Sequence, residues 1–499
     1  MSEPQTEAPL HTADEHDPAD DLPDLPPDEP DEQQERSLRW PRRSPDDIGN
    51  AERLVDHYGG EIRYTVDAEQ WVTYEDGRWS FKGGATRVWQ RVIRTIDTLP
   101  NTEALAYSGV PGRGPKGEVL PSPREKFLQW AASQRMRPKL AAMREIAQGH
   151  PSLHCFMSDF DRSEMLLNVG NGVVDLRTGR LMGHDPGLFL MQQSPILFDP
   201  DATAPMWEEF LASVMPDEER RGYLARVVGY TLSGSTEEQV MFIHHGDGQN
   251  GKGVFMRVVT AILGDYAQSV PRSTLMAKQN EGIPNDVARM MGKRLLSTTE
   301  TSAGKKLDDE LVKQLTGEDT VSARFLNKEF FDFRPVGKIH LVTNYLPTVG
   351  GGHGIARRLQ DIGWDVIVPP EKRIKKYDEK ILAAEASGVL NWAIQGCLDW
   401  QQKGLAVPAA VQEKTKEHLA KSDPLLMWRD EHTRPADPAV HTETGVLFAS
   451  YKQWCQAGSI REMSIRAFGE ALQEKGYLRG QHPTNRRSVI YGLQLAPSF

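Results

Sequence analysis

The sequence predicts an α/β protein of several units: a P-loop nucleotide-binding core, an α+β region before it and a winged-helix module after it. Three observations carry the prediction. The apolar run Val240-Met-Phe-Ile243 feeds the glycine-rich stretch Gly246-Asp-Gly-Gln-Asn-Gly-Lys252, and an amphipathic segment, Val254 to Leu263, comes next. Two further β-rich runs, Lys293 to Glu300 and Lys338 to Asn344, each end in a polar residue. Residues 425–499 pattern as helix, helix and strand.

Length bounds the organisation at about three or four domains with a sizeable core. The 499 residues carry 59 Lys and Arg against 70 Asp and Glu, a net charge of −11. Thirteen of the acids lie in residues 1–35, which hold no Lys or Arg, so the remainder has 59 basic against 57 acidic side chains. A near-neutral body with local basic clusters can bind nucleic acid despite the acidic total. Three scattered cysteines, Cys155, Cys397 and Cys455, lack metal-ligand spacing and fit a reducing compartment. No apolar run is long enough to span a bilayer and no signal-peptide pattern opens the chain, so the expectation is a soluble, cytoplasmic protein without a membrane partner.

Taken in order, residues 1–45 are rich in Pro and Asp, bury nothing and are expected to be a disordered acidic tail. Residues 46–205 form the α+β region. Tyr64 to Trp79 alternates and turns at Asp76-Gly77, a hairpin signal; Ala85 to Leu99 is helical in period; Arg124 to Ala147 is a basic helical stretch. Leu166 to Gly179 reads as short strands turning at Asn171-Gly172 and Arg177-Thr178-Gly179. Helices over Met206 to Thr236 open the ATPase segment, 206–405, and 406–424 is a charged, largely helical linker. In 425–499, helices Val446 to Cys455 and Ser464 to Lys475 precede the strand-like Val489 to Leu495. Arg479, Arg486 and Arg487 lie on the expected wing, with the last two taken as DNA contacts.

The glycine-rich loop carries the sharpest chemistry. Gly246, Gly248, Gly251 and Gly253 permit backbone that other residues resist, so the N–H groups of the loop, Asn250 included, can close around phosphate oxygens. Lys252 reaches the β- and γ-phosphates, and the helix after it points its positive end at them. A bare glycine turn rarely has a buried strand before it and an amphipathic helix after it. Gly253 departs from the pattern, because a Ser or Thr hydroxyl normally ligates Mg²⁺ there. ATP and Mg²⁺ are the expected cofactors.

Hydrolysis needs a carboxylate at the end of a neighbouring strand to orient water or hold Mg²⁺, directly or through water. Glu300 supplies it; elsewhere it would be an ordinary surface acid. Asn344 ends the second strand, placed to touch the γ-phosphate or the water. Arg357 and Arg358 fit an arginine finger, although paired arginines are usually a solvated face. Between the strands, Lys313 to Arg324 and Phe325 to Phe333 suggest a hairpin exposing Asn327 and Lys328, where a lysine can grip a phosphate backbone.

These blocks together resemble the superfamily 3 helicases, most closely the phage and plasmid primase–helicase group with its poxviral relatives. The resemblance rests on Gly-x4-Gly-Lys at 246–252, the Leu-Leu-x3-Glu run to Glu300, Lys-x-Leu-Thr-Gly-Glu-Asp-x3-Ala-Arg ending at Arg324, Thr343-Asn344-x2-Pro347 and Arg357-Arg358. It extends from about residue 60, through Asn168 to Gly179, to about residue 495, with Tyr451, Trp454, Cys455, Phe468 and Leu472 similar to that group's winged helix. It implies an AAA+-type ring, commonly a homo-hexamer, translocating on single-stranded and forked DNA in the bacterial host during phage, prophage or plasmid replication. Asn344 would be the sensor, Arg357 before Arg358 the finger entering a neighbouring subunit, and Lys328, with Arg324, the DNA contact of the channel hairpin. Thr299 stands where many relatives carry Asp, so fewer protein ligands would hold Mg²⁺. No Asp-x-Asp with a downstream His occurs in strand context, so priming and polymerisation are expected from separate proteins. The rival readings are an ATP-switched, origin-binding initiator or loader that does not unwind, favoured by the missing metal ligands, and a small-molecule P-loop kinase, disfavoured by the DNA-binding features.

Overall fold

The computed structural model describes residues 42–277, 285–299, 306–324, 331–349, 353–457, 462–482, 484 and 486–496. The chain divides into two compact units, residues 1–71 with 83–154, and residues 72–82 with 155–499. The expected disordered tail falls largely outside the described residues. Its last part, 42–45, is held: Arg43 pairs with Asp56, and Arg53 donates to the carbonyls of Arg43 and Ser44.

The first unit packs helices Asp47–Tyr58, Gly84–Thr98, Pro123–Ser133 and Arg137–Gln148 around Leu54, Val88, Val92, Phe127 and Met143. The basic helical stretch comprises two helices. Pro138 lacks an amide proton and fits only the first turn, so a new helix starts at Arg137. A buried bidentate pair, Arg53 with Glu103 at 2.6 and 2.8 Å, ties the first helix to the segment before the third.

The second unit contains the expected hairpin turn. Asp76 and Gly77 both have positive φ, and Glu75 pairs with Arg78. Strands Leu166–Val169, Gly172–Asp175 and Arg180–Met182 form an antiparallel sheet whose Leu167, Val169, Val174 and Leu176 join the same core as Trp207, Leu224 and Phe255. Residues 155–205, placed by the sequence pattern with the N-terminal region, therefore share a core with the helices that come after them.

That core lies against one face of a parallel sheet. In chain order the elements are helix α1 (Glu218–Leu232), β1 (Met241–His245), α2 (Lys252–Leu263), β2 (Ala267–Ser269), β3 (Leu295–Thr299), α3 (Asp309–Thr316), β4 (Lys338–Thr343), β5 (Leu359–Gly363), α4 (Tyr377–Lys403) and α5 (Ala409–Ser422). The sheet order is β2-β3-β4-β1-β5, every pair parallel. Its strands read as near-continuous apolar runs because both faces are covered. Cluster Val258, Ile262 and Leu295 with Trp207 and Val389 lies on one side, and Met241, Ile243, Ile339 and Leu341 with Leu275, Val312 and Ile355 on the other. All five strands run the same way, so the loop after β1 and the residues after β3 and β4 emerge at one edge, where α/β sheets bind ligands.

Two buried basic side chains fasten the opposite edge. Arg294, just before β3, donates to the carbonyls of Leu232 and Leu166 and lies over the Tyr266 ring at 4.5 Å. Lys338, opening β4, donates to the carbonyls of Ser233 and Val336 and sits 4.7 Å from the centre of the Tyr230 ring. Both approach the C-terminal end of α1, where unpaired carbonyls favour positive charge.

The segment expected to be a linker is a packed helix. In α5, Val411, Thr415 and His418 are buried; Thr415 Oγ1 accepts from the Asp361 amide, and His418 Nε2 bonds the Pro347 carbonyl at 2.9 Å. Beyond it, helices Pro424–His432, Thr444–Ala457 and Ile465–Glu474 enclose Trp428, Tyr451, Phe468 and Leu472. A three-stranded antiparallel sheet accompanies them, with Ser488–Tyr491 between His441–Glu443 and Arg479–Gln481. The strand-like run 489–495 is two strands, interrupted at Gly492 with φ +76°.

Candidate functional site

The glycine loop leaves β1 and turns through positive φ at Gly248 (+92°), Gln249 (+54°) and Gly251 (+86°) before α2 begins at Lys252. Space as well as dihedral fixes the glycines. A Cβ on Gly246 would lie 2.4 Å from both Asn250 Nδ2 and the Trp364 carbonyl oxygen, and one on Gly251 would lie 2.7 Å from Val214 Cγ1. No side chain caps α2, so its first-turn amides keep their capacity to bind an anion.

The loop is braced from the strand beside it. Asn250 Nδ2 donates to the Trp364 carbonyl at 3.0 Å, the Val368 amide donates to the Gln249 carbonyl at 2.9 Å, and Arg373 holds the Gln249 side chain. Lys252 is 5% exposed; its Nζ donates to the Gly246 carbonyl and, at 3.2 Å, to Asn344 Oδ1. Burial pushes its pKa below the ordinary lysine value, and the Asp247 carboxylate partly opposes this. The loop lysine and the strand-end asparagine, found separately in the sequence, thus meet at the carboxyl edge of the sheet.

A buried polar chain that the sequence reading missed runs beneath the loop. Trp364 Nε1 can only donate, so His244 Nδ1 accepts at 3.2 Å and the His244 proton resides on Nε2. His244 Nε2 then donates to His340 Nδ1 at 3.1 Å, His340 Nε2 to Thr231 Oγ1 at 3.0 Å, and the Thr231 hydroxyl to the Val227 carbonyl. Burial keeps both imidazoles neutral, with the His244 pKa pushed down to about 3 by burial and then by Lys252, and that of His340 also well below its usual value. The chain crosses from α1 through β4 and β1 to Trp364, whose carbonyl holds Asn250. A histidine inside each of two apolar strand runs was the signal available for it.

The other sequence candidates fall elsewhere. Glu300 and Lys328 lie outside the described residues. Strand β3, which precedes Glu300, pairs Thr299 with Val342, two residues short of Asn344. Gly253 is exposed, and a Cβ there would meet only Arg257 Nη1, at 3.1 Å; Arg257 is paired with Asp378. Arg357 and Arg358 precede β5, at the opposite edge of the sheet from Lys252, about 15 Å away by strand length. Arg357 is exposed and donates to Gln239 Oε1; Arg358 is buried, bonded to Thr316 Oγ1 and the Gly354 carbonyl, with its pKa lowered by burial and by Arg357. Arg324 is exposed beside the antiparallel pair Val321–Ala323 and Phe331–Phe333. Arg486 and Arg487 are exposed in the terminal part, and Arg487 pairs with Glu443 at 3.0 Å. Among the described residues, no three His, Cys, Asp or Glu side chains converge as a metal site, and no helix is long and apolar enough to cross a membrane.

Comparison with known proteins adds the kinship. Residues 51–216 match the family model described as "D5 N terminal like", and residues 244–358, which hold Lys252, Asn344, Arg357 and Arg358, match "Family of unknown function (DUF5906)". The protein named "Putative helicase" in Acanthamoeba polyphaga mimivirus is 25% identical over 332 residues, 60% of this chain and 34% of that protein. Over these regions the chain is similar to proteins named as helicases and primases of large DNA viruses. The protein named "Putative primase" in African swine fever virus is 26% identical over 215 residues, 41% of this chain and 22% of its own length. One named "Putative helicase" in invertebrate iridescent virus 3 is 25% identical over 241 residues, 46% of this chain and 24% of its own. The chain thus spans about a third or less of the curated relatives it matches. The solved A-form apo structure of the NrS-1 C-terminal region shares the fold, with TM-score 0.51 and 10% identity over 90% of this chain and 99% of that one.

Proposed function

We propose that this chain is an ATP-driven helicase of phage, prophage or plasmid DNA replication, working in the bacterial host cytoplasm as a homo-oligomeric ring, six copies by resemblance. Its core is of AAA+ type, a P-loop module with a winged helix after it. The observation that carries this reading is the meeting of Lys252 Nζ with Asn344 Oδ1 beneath a loop whose glycines and uncapped helix present amides to an anion. Bound ATP supplies the phosphoanhydride whose hydrolysis drives movement. Loop amides and Lys252 would hold its phosphates, Asn344 would meet the terminal one, and Glu300, from the sequence pattern, would orient water and hold Mg²⁺ through it. Gly253 offers no hydroxyl, so fewer protein ligands would hold Mg²⁺ there.

Arg357, exposed at the far edge of the sheet, suits a finger acting on the next copy; Arg358, buried against Thr316, suits positioning it. Arg324 and Lys328 would contact the translocating strand, and Arg486 with Arg487 duplex at the fork. Relatives named for helicase and primase support a replicative setting, with priming and polymerisation assigned to separate proteins. The test is strand separation of a forked duplex by the purified protein with ATP and Mg²⁺. Unwinding supports the helicase; tight DNA binding with no strand separation and negligible turnover replaces it with the ATP-switched initiator or loader.

A further inference from the structure

We infer that the first compact unit carries a second nucleic-acid site: an open cleft of about 450 Å³ that seats one nucleotide of a single DNA strand, lined by Trp89, Arg137, Ala141, Arg144 and Glu145. This goes beyond the ATP-site reading and does not depend on it. Trp89 lies on the helix Gly84–Thr98, and the other four on Arg137–Gln148.

The Arg144 guanidinium lies 5.2 Å from the centre of the Trp89 ring, and its buried Nε has no hydrogen-bond partner. An indole and a guanidinium in contact each offer a flat face of the kind on which unpaired bases stack. Arg137 is exposed at the mouth, and among the described residues neither it nor Arg144 is in an ion pair. It is free to take a backbone phosphate. The volume fits a base with its sugar and phosphate.

Charge on these helices runs against the chain as a whole. Segments 84–98 and 123–148 hold nine Lys and Arg against three Asp and Glu, although acids outnumber bases over the whole sequence. Arg91, Arg135 and Lys139 are paired with Glu61, Asp97 and Asp47, whereas Arg137 and Arg144 line the cleft beside a single acid, Glu145. A stacking platform requires an unstacked base, so a single strand fits and a closed duplex does not.

The experiment is fluorescence anisotropy of a labelled 30-nucleotide oligo-dT with the full chain and no ATP, across a salt series. Arg137→Glu should raise Kd about tenfold and lower the salt slope by about 1, and Trp89→Ala should raise Kd about tenfold or more while Trp89→Tyr binds near wild type. Lys252→Ala should bind as wild type, which separates this site from the ATP site. Melting curves identify any variant that fails to fold, and Arg137→Glu, at an exposed position, then decides alone. Unlabelled dTMP and blunt duplex should compete poorly. Wild-type Kd and salt slope in Arg137→Glu, or dTMP competing as well as the strand, would overturn the proposal.

Discussion

Lys252 and Lys338 are both buried lysines, at opposite edges of one parallel sheet, 5% and 2% exposed, yet they do opposite things. Lys338 stands at the start of β4, under the end of α1, where two carbonyls and the Tyr230 ring saturate it. Lys252 stands at the other edge, in a loop of left-handed turns, held by one carbonyl and by Asn344 from the neighbouring strand. Burial lowers the pKa of both, so a perturbed lysine alone identifies nothing. What separates them is the surrounding backbone. A helix end offers Lys338 fixed carbonyls, whereas a helix start puts uncapped amides beside Lys252, where a phosphate would complete the charge.

The two lysines should part most widely in stability. Lys338→Ala strands two buried carbonyls and opens a cavity, and is expected to cost about 3–4 kcal/mol in denaturant unfolding. Lys252→Ala should cost about 1 kcal/mol or less, since its partners lie at an edge that water can reach. Equal losses would refute the division of roles.

A second test concerns Asp361 on β5, whose carboxyl is raised to about 7, first by burial and then by Asp365 and Glu417, with Lys414 opposing. His418 Nδ1 lies 3.7 Å away. A raised carboxylate pKa favours the protonated fold, so this stabilisation is complete below about pH 4 and lost as pH rises to about 7. Relative to Asp361→Asn, wild type should lose about 2–3 kcal/mol between pH 4 and 7.5. Parallel Tm curves for the two proteins would contradict it.

Asn344→Ala removes the partner of Lys252 but not the loop, and ATP hydrolysis should fall roughly tenfold to a hundredfold with little change in melting. The smallest effect belongs to Gly253→Ser. Its Cβ meets only the flexible end of Arg257, so stability should move by about 0.5 kcal/mol or less, while the Mg²⁺ concentration for half-maximal hydrolysis should fall. An unchanged Mg²⁺ requirement would mean that position 253 does not face the metal.

Much of this site was legible in the sequence because its information is local. A strand, a glycine loop and a helix start occupy consecutive residues, and Asn344 was marked by the strand it ends. The rest depends on distant partners. Nothing near Asn250 announces the Trp364 carbonyl, and nothing in the pair Arg357-Arg358 says which is buried against Thr316. The His244–His340 chain exists only once β1 and β4 lie side by side. The fold shows the same limit: the sequence pattern grouped residues 155–205 with the region before them, yet Leu167 and Val174 pack with Trp207. The linker's apolar positions are too few to announce the core that Thr415 and His418 enter.

The deciding measurement is ATP hydrolysis by the purified protein, with and without single-stranded DNA, for wild type and Lys252→Ala. Turnover should be stimulated by DNA and reduced about a hundredfold or more in the variant, with its melting curve nearly unchanged. DNA-stimulated turnover that survives in a folded Lys252→Ala protein would place the chemistry elsewhere and contradict the role assigned to the loop.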